Sequence, residues 1–288
     1  MSLKNSLDAG EFAVLTEMEP PKGCDISAMI ESAEQIKDQV EAFVISEMNN
    51  AMMRMSALAG AMLLQTKGME TAMQICGRDR NRLALQADLL GAGACGIPTV
   101  IVTDGDDPLM GDHHQTPAVQ DIGTSDLLRL IGTLRKGSDM SGAELKGAPE
   151  FRVGASLKIS SDGEEPDARL AEMEKKIAAG AEFFITQPVF DLNLLTPFRE
   201  QAGDRAKLIP NILLLKSLGM ARYMERNVPH IHIPKDLIRR LQKAKDKEGE
   251  CMQVAAELVA GLKQSGYAGV LLSLGGAEHK ISPILSGG

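Results

Sequence analysis

Eight short runs rich in β-branched or aromatic residues punctuate the chain, at 12–16, 43–46, 72–76, 99–103, 151–156, 182–186, 208–214 and 269–273. Segments with helical spacing separate them. Ile26, Met29, Ile30, Ala33 and Ile36 share one face, as do Leu170, Met173 and Ile177. Strands that alternate with helices pair in parallel, because each helix carries the chain back to the starting edge. Eight such units in 288 residues is the count that closes a barrel. An open doubly wound sheet usually has fewer strands and a glycine-rich first turn. No G-x-G-x-x-G follows the first run, and Gly91-Ala92-Gly93 falls late in a helical segment. The expected fold is α/β, a single (β/α)8 TIM barrel spanning residues 1–288 as one domain.

The remaining helices are expected at about 51–66, 83–90, 124–136, 192–202, 216–226 with 235–244, and 251–265. Asp25 precedes the first helix, Thr124 or Ser125 caps the fourth, and Gly180 and Gly266 act as stops. Two connections are long. Residues 105–123 follow the fourth strand, on the carboxyl rim where such barrels carry their chemistry, and residues 137–150 lie on the opposite rim.

Composition narrows the partners. Against 31 Lys and Arg stand 39 Asp and Glu, a net charge of −8, which argues against a nucleic-acid surface. No apolar run reaches the ~20 residues that span a bilayer. The opening MSLKNSL lacks a secretory core, and Met1-Ser2-Leu3 reads as a possible addition ahead of the fold. Cys24, Cys76, Cys95 and Cys251 are scattered without a C-x-x-C pair, which fits a reducing, cytoplasmic setting with each thiol as a small buried hydrophobe. Met48, Met52, Met53, Met55 and Met62 read as core filler.

Three polar residues follow strand runs directly: Glu17 after FAVLT, Asp106 after TVIVTDG, and Gln187 after AEFFIT. A barrel gathers strand ends at one rim, so residues far apart in sequence meet there. Pro20-Pro21 stiffens the turn behind Glu17, a candidate general acid if partly desolvated. Asp104, Asp106 and Asp107 crowd the turn at Gly105, where Asx-turn chemistry accounts for part of the cluster. The Gln187 amide offers both donor and acceptor to a heterocycle edge, with Phe190 near enough to stack. His113-His114 and His230-x-His232 lack a third partner at metal-binding spacing.

The segment EKKIAAGAEFFITQPVFD resembles the K-x-x-x-G-A-x-x-x-x-T-Q-x-x-(F/Y)-D segment of methylenetetrahydrofolate reductases, which are flavin-dependent (β/α)8 barrels. TEMEPPKG resembles their F-E-x-x-P-P turn, and GDDP their motif after strand four. The stretches CGRDRNRLALQADLLGAGACGI and LLKSLGMARYMERNVPHIHIP look like the acetogen-type branch. The resemblance implies reduction of 5,10-methylenetetrahydrofolate to 5-methyltetrahydrofolate, or the reverse, with Glu17 as general acid. It implies that Asp106 tunes the flavin, that Gln187 binds the pterin, and that Lys176 contacts the phosphate-bearing tail. Ser46 falls where a flavin-contacting threonine sits.

Some positions depart from the family. Its H-L-T-C reads Gln74-Ile75-Cys76-Gly77, and Asp104 stands in place of Arg or Thr. Gln74 and Asp104 thereby become candidate cofactor contacts. The implied cofactor is FAD, with FMN as alternative. The branch implies an iron–sulfur electron-transfer subunit as donor, since no cysteine cluster here could hold such a centre. A homo-oligomer is compatible with it. The rival reading is a flavin-free folate- or pterin-binding subunit of a methyl-transfer or reductase complex.

Overall fold

The computed structural model describes residues 2–159, 166–228 and 230–287. Eight parallel strands close into a barrel in chain order: β1 (Ala13–Met18), β2 (Ala42–Ile45), β3 (Thr71–Ile75), β4 (Thr99–Val102), β5 (Arg152–Leu157), β6 (Phe183–Pro188), β7 (Lys207–Leu213) and β8 (Gly269–Ser273). The seam closes with Ala13 opposite Gly269 and Thr16 opposite Leu272. The Thr16 hydroxyl, which points outward, donates to the Leu272 carbonyl at 3.1 Å. Around the barrel lie α1 (Leu3–Ala9), α2 (Ser27–Ile36), α3 (Ala57–Gln65), α4 (Arg82–Ala94), α5 (Thr124–Arg135), α6 (Asp167–Ala178), α7 (Thr196–Ala202), α8 (Leu218–Asn227), α9 (Lys235–Lys243), α10 (Lys247–Gln264) and α11 (Ile281–Ser286).

Side-chain alternation splits the apolar residues into two layers. Leu15, Val44, Ala72, Ile101, Phe183, Ile185, Ile209 and Leu271 fill the barrel interior. Their neighbours, among them Phe43, Met73, Val100, Val153, Phe184 and Leu272, face the helices. Gly154 makes room for the largest interior ring: a Cβ there would lie 2.4 Å from Phe183. The amino end is floored by α1, whose Leu3 and Leu7 join the interior cluster. Ser2 caps that helix by accepting the Asn5 N–H, and Glu70 accepts the Leu3 N–H at 2.9 Å. Ser2 and Leu3 therefore pack as part of the fold, and Met1 lies outside the described residues.

Other expectations need correction. Helix α3 begins at Ala57, with Ser56 as its cap, instead of near residue 51. Met48, Asn50 and Ala51 take left-handed φ of 51°, 55° and 53°, which a helix forbids. Of the methionines expected in the core, Met52 is 36% and Met53 44% exposed, whereas Met62 packs against the main cluster. Gly123, not Thr124 or Ser125, occupies the cap position of α5. Cys76 and Cys251 are buried as expected, but Cys24 and Cys95 are exposed.

Candidate active site at the carboxyl rim

Followed to the strand ends, the inward-facing positions turn from aliphatic to polar at Glu17, Ser46, Gln74, Ser156, Asn211 and Ser273, and Gln187 falls in a register shift near the end of β6. Such an inversion at one end of an apolar interior marks where a ligand meets the barrel. Glu17, in β1, is partly buried. Asn49 Nδ2 donates to its Oε1 at 2.7 Å, and Ser273 Oγ lies 2.5 Å from its Oε2. Ser273 Oγ also lies 3.0 Å from Asn211 Oδ1. Desolvation lifts the Glu17 carboxyl above the usual glutamate range. The Ser273 and Asn49 hydrogen bonds pull the other way, and the nearby Glu19 charge adds to the lift. A carboxyl held in this way keeps its proton closer to neutrality than a free one.

Asp106 lies four residues beyond β4, where its carboxylate accepts the Asn50 N–H at 2.6 Å. Adjacent residues of one strained loop therefore hold both acids, Asn49 on Glu17 and Asn50 on Asp106. That loop presses against the one after β4, since a Cβ on Gly111 would meet the Ala51 carbonyl at 1.9 Å. Asp112 clips three loops together: it pairs with Lys22, accepts the Met53 N–H at 2.9 Å and meets His113 Nδ1 at 2.9 Å. Lys22, followed by these other partners, holds the Asp112 carboxyl well below the usual range. His114 turns away to the Leu109 carbonyl. Among the described residues no three His, Cys, Asp or Glu side chains gather as a metal site.

Gln187 uses its amide within the chain. Its Oε1 accepts the Ile159 N–H at 2.7 Å, and its Nε2 donates to the carbonyls of Ile159 at 2.9 Å and His230 at 3.0 Å. The neighbouring Thr186 Oγ1 accepts the Asn211 N–H at 3.1 Å. The rim thus carries one chain of contacts from β6 through Asn211, Ser273 and Glu17 to Asn49, Asn50 and Asp106. Phe190 is only 4% exposed and packs with Leu215, Ala221, Met224, Ile233, Leu241 and Cys251. Its ring belongs to that cluster and not to the barrel mouth.

Lys176 is 1% exposed. Its ammonium donates to the Ser156 carbonyl at 2.8 Å and pairs with Glu172 at 2.8 Å and Asp104 at 3.4 Å. Asp104 also accepts the Thr124 hydroxyl at 2.5 Å. The acid that departs from the family pattern is therefore compensated internally. Ser46 is buried, its hydroxyl 3.4 Å from the Met18 carbonyl, and Gln74 Oε1 accepts the Glu47 N–H at 3.3 Å. Glu47, which the sequence reading missed, is 4% exposed; it pairs with Arg80 at 3.0 Å and accepts the Ala57 N–H at the start of α3. Asn49, Asn211 and Ser273 were missed as well. Asn211 and Ser273 each stand as lone polar residues in the apolar runs LIPNILLL and GVLLSLGG, the signal that revealed Glu17.

Gln74 and Ser46 bring an amide and a hydroxyl to the barrel mouth and Asp106 a carboxylate, groups of the kind a flavin ring edge could bond once their contacts within the chain are exchanged. Lys176, buried and satisfied by three oxygens, is not free to meet a phosphate.

A closed parallel barrel with a polar carboxyl rim and a raised-pKa acid defines an enzyme of the rim-site (β/α)8 class. The model of the methylenetetrahydrofolate reductase family matches residues 2–271, and the chain belongs to that family, an oxidoreductase family. Among solved structures, a 2,3-dimethylmalate lyase of the PEP mutase/isocitrate lyase superfamily aligns with 8% identity and a TM-score of 0.59, over 99% of this chain and 82% of that one. The EDTA monooxygenase EmoA from Chelativorans sp. BNC1 aligns with 9% identity and a TM-score of 0.57, over 96% and 93%. At such identities the likeness concerns the fold alone. No helix among the described residues is long and apolar enough to cross a membrane.

Proposed function

We propose that the chain carries out flavin-dependent reduction of 5,10-methylenetetrahydrofolate to 5-methyltetrahydrofolate. The observation that carries this reading is Glu17, a desolvated acid at the barrel mouth, within a family whose reaction requires a proton donor. Glu17, its carboxyl raised above the usual glutamate range by desolvation, delivers a proton to folate N10 as the ring opens. Gln74, Ser46 and Asp106 would hold the ring of the flavin, FAD by resemblance, which supplies hydride when bound. Gln187 would meet the pterin edge by exchanging its bonds to Ile159 and His230 for bonds to the ligand. An iron–sulfur subunit is the proposed electron donor.

The test is a visible spectrum of the purified protein with mass spectrometry of any released cofactor, followed by anaerobic turnover of the folate. A flavin band and methyltetrahydrofolate formation are expected. Mixing with NADH or NADPH in a stopped-flow instrument should bleach that band far more slowly than folate reoxidises it. The commitment of Lys176 inside the fold favours a second reading, a flavin-free folate-binding subunit. Folate binding without any flavin band would establish that reading in place of the first.

A further inference from the structure

The contacts around Glu17 contain a proton-counting constraint. Ser273 has one hydroxyl proton but sits 2.5 Å from Glu17 Oε2 and 3.0 Å from Asn211 Oδ1, two atoms that both accept when Glu17 is ionised. Asn49 Nδ2 can only donate, which makes Glu17 Oε1 an acceptor. One assignment satisfies every atom as placed. Glu17 carries its proton on Oε2 and donates it to Ser273 Oγ, and Ser273 in turn donates to Asn211 Oδ1. After proton loss the carboxylate needs a donor. A half-turn of the Asn211 amide brings Nδ2 to Ser273 Oγ, and the serine proton then points at Glu17.

We propose that Ser273 and Asn211 form a two-state hydrogen-bond relay that supports the Glu17 carboxyl both with and without its proton. The inference rests on the reading of Glu17 as the proton donor. In the donating step the Oε2 proton turns from Ser273 to the substrate, its O–H bond breaks and an N–H bond forms there. Ser273 then turns its O–H to the new carboxylate, and no further reactant is consumed. Ser273 and Asn211 are positioning residues, since both act through the Glu17 carboxyl. Both are nearly buried, at 6% and 7% exposure, so water is a poor substitute for either. The charged groups on neighbouring elements are engaged elsewhere: Glu47 with Arg80, Lys216 with the Gly275 carbonyl, and Asp106 with the Asn50 N–H. Glu19 is the carboxylate whose charge acts on Glu17.

The experiment is a carboxyl titration of folate-free protein labelled with 13C at glutamate, with Glu17→Gln identifying the resonance, alongside infrared difference spectra of the protonated carboxyl. In the parent protein Glu17 should be protonated well above the pH at which exposed glutamates ionise. Ser273→Ala should lower its ionisation constant about tenfold or more, the scale of one hydrogen bond to a charged group. Asn211→Leu should shift it in the same direction, and Ser273→Thr, which keeps the hydroxyl, should restore it. An unmoved midpoint in either Ser273→Ala or Asn211→Leu overturns the relay. If neither variant folds, a parent titration in which Glu17 ionises with the exposed glutamates overturns it equally. A shifted midpoint in a protein that never turns over folate would sink the proposed function and leave the relay standing.

Discussion

The desolvation that raises the Glu17 carboxyl also weakens the folded state wherever its proton is lost. The folded pKa lies above the unfolded value. Between the two, the native state binds more protons, and stability falls as pH rises through that window. Glu17→Gln removes this penalty. The variant should melt above the parent at neutral pH, with the gap closing below the ordinary carboxylate range, as differential scanning calorimetry across pH would record. Its turnover should drop ~10²-fold or more while bound flavin stays unchanged, in keeping with a lost general acid. A fully active Glu17→Gln variant would reduce the residue to an ordinary rim carboxylate. Lys176 calls for the opposite experiment. Lys176→Met leaves Asp104 and Glu172 without their shared cation and should cost about 2–4 kcal/mol in urea denaturation, since one partner of a buried pair is removed. A stable variant lacking flavin would instead place Lys176 at the cofactor. Glu17 was legible in the sequence because one rule, a polar residue ending an apolar run, suffices to find it. Of the partners of Lys176, Glu172 lies one helical turn away, whereas Ser156 and Asp104 reach it only once α6 packs on the paired β4 and β5.

Among the elements, all eight strands were readable, since buried parallel strands are continuous apolar runs between helical segments. The segment after β2 was not. Its methionines and alanines have good helix propensity, yet tertiary demands override it between residues 48 and 56. There the backbone accepts left-handed φ to place Asn49 on one acid and Asn50 on the other. Asp112 secures the same loop from outside. Asp112→Ala should speed hydrogen exchange of the Met53 amide markedly and leave the global melting temperature nearly unchanged. Equal exchange in both proteins would show that the clip holds nothing. Because the Asp112 pKa is depressed, the clip contributes above the ordinary aspartate value and is lost only as pH falls through the lower, folded one.

At the scale of the whole molecule, the barrel has a polar mouth and an apolar floor. The floor is α1, a seven-residue helix whose two buried leucines give too little periodicity to announce it in sequence. Leu7→Ala should nonetheless cost about 2–5 kcal/mol, as for other large-to-small changes in a packed interior, measured by urea denaturation with turnover retained near the parent value. A loss under 1 kcal/mol would make the helix an ornament of the amino end.

Barrel closure also sets a timetable. Glu17 and Ser273 are 256 positions apart and meet only across the seam between β8 and β1. A nascent fragment that stops short of β8 holds the acid without its serine partner, so the reactive mouth matures only when the last strand of the barrel joins the first.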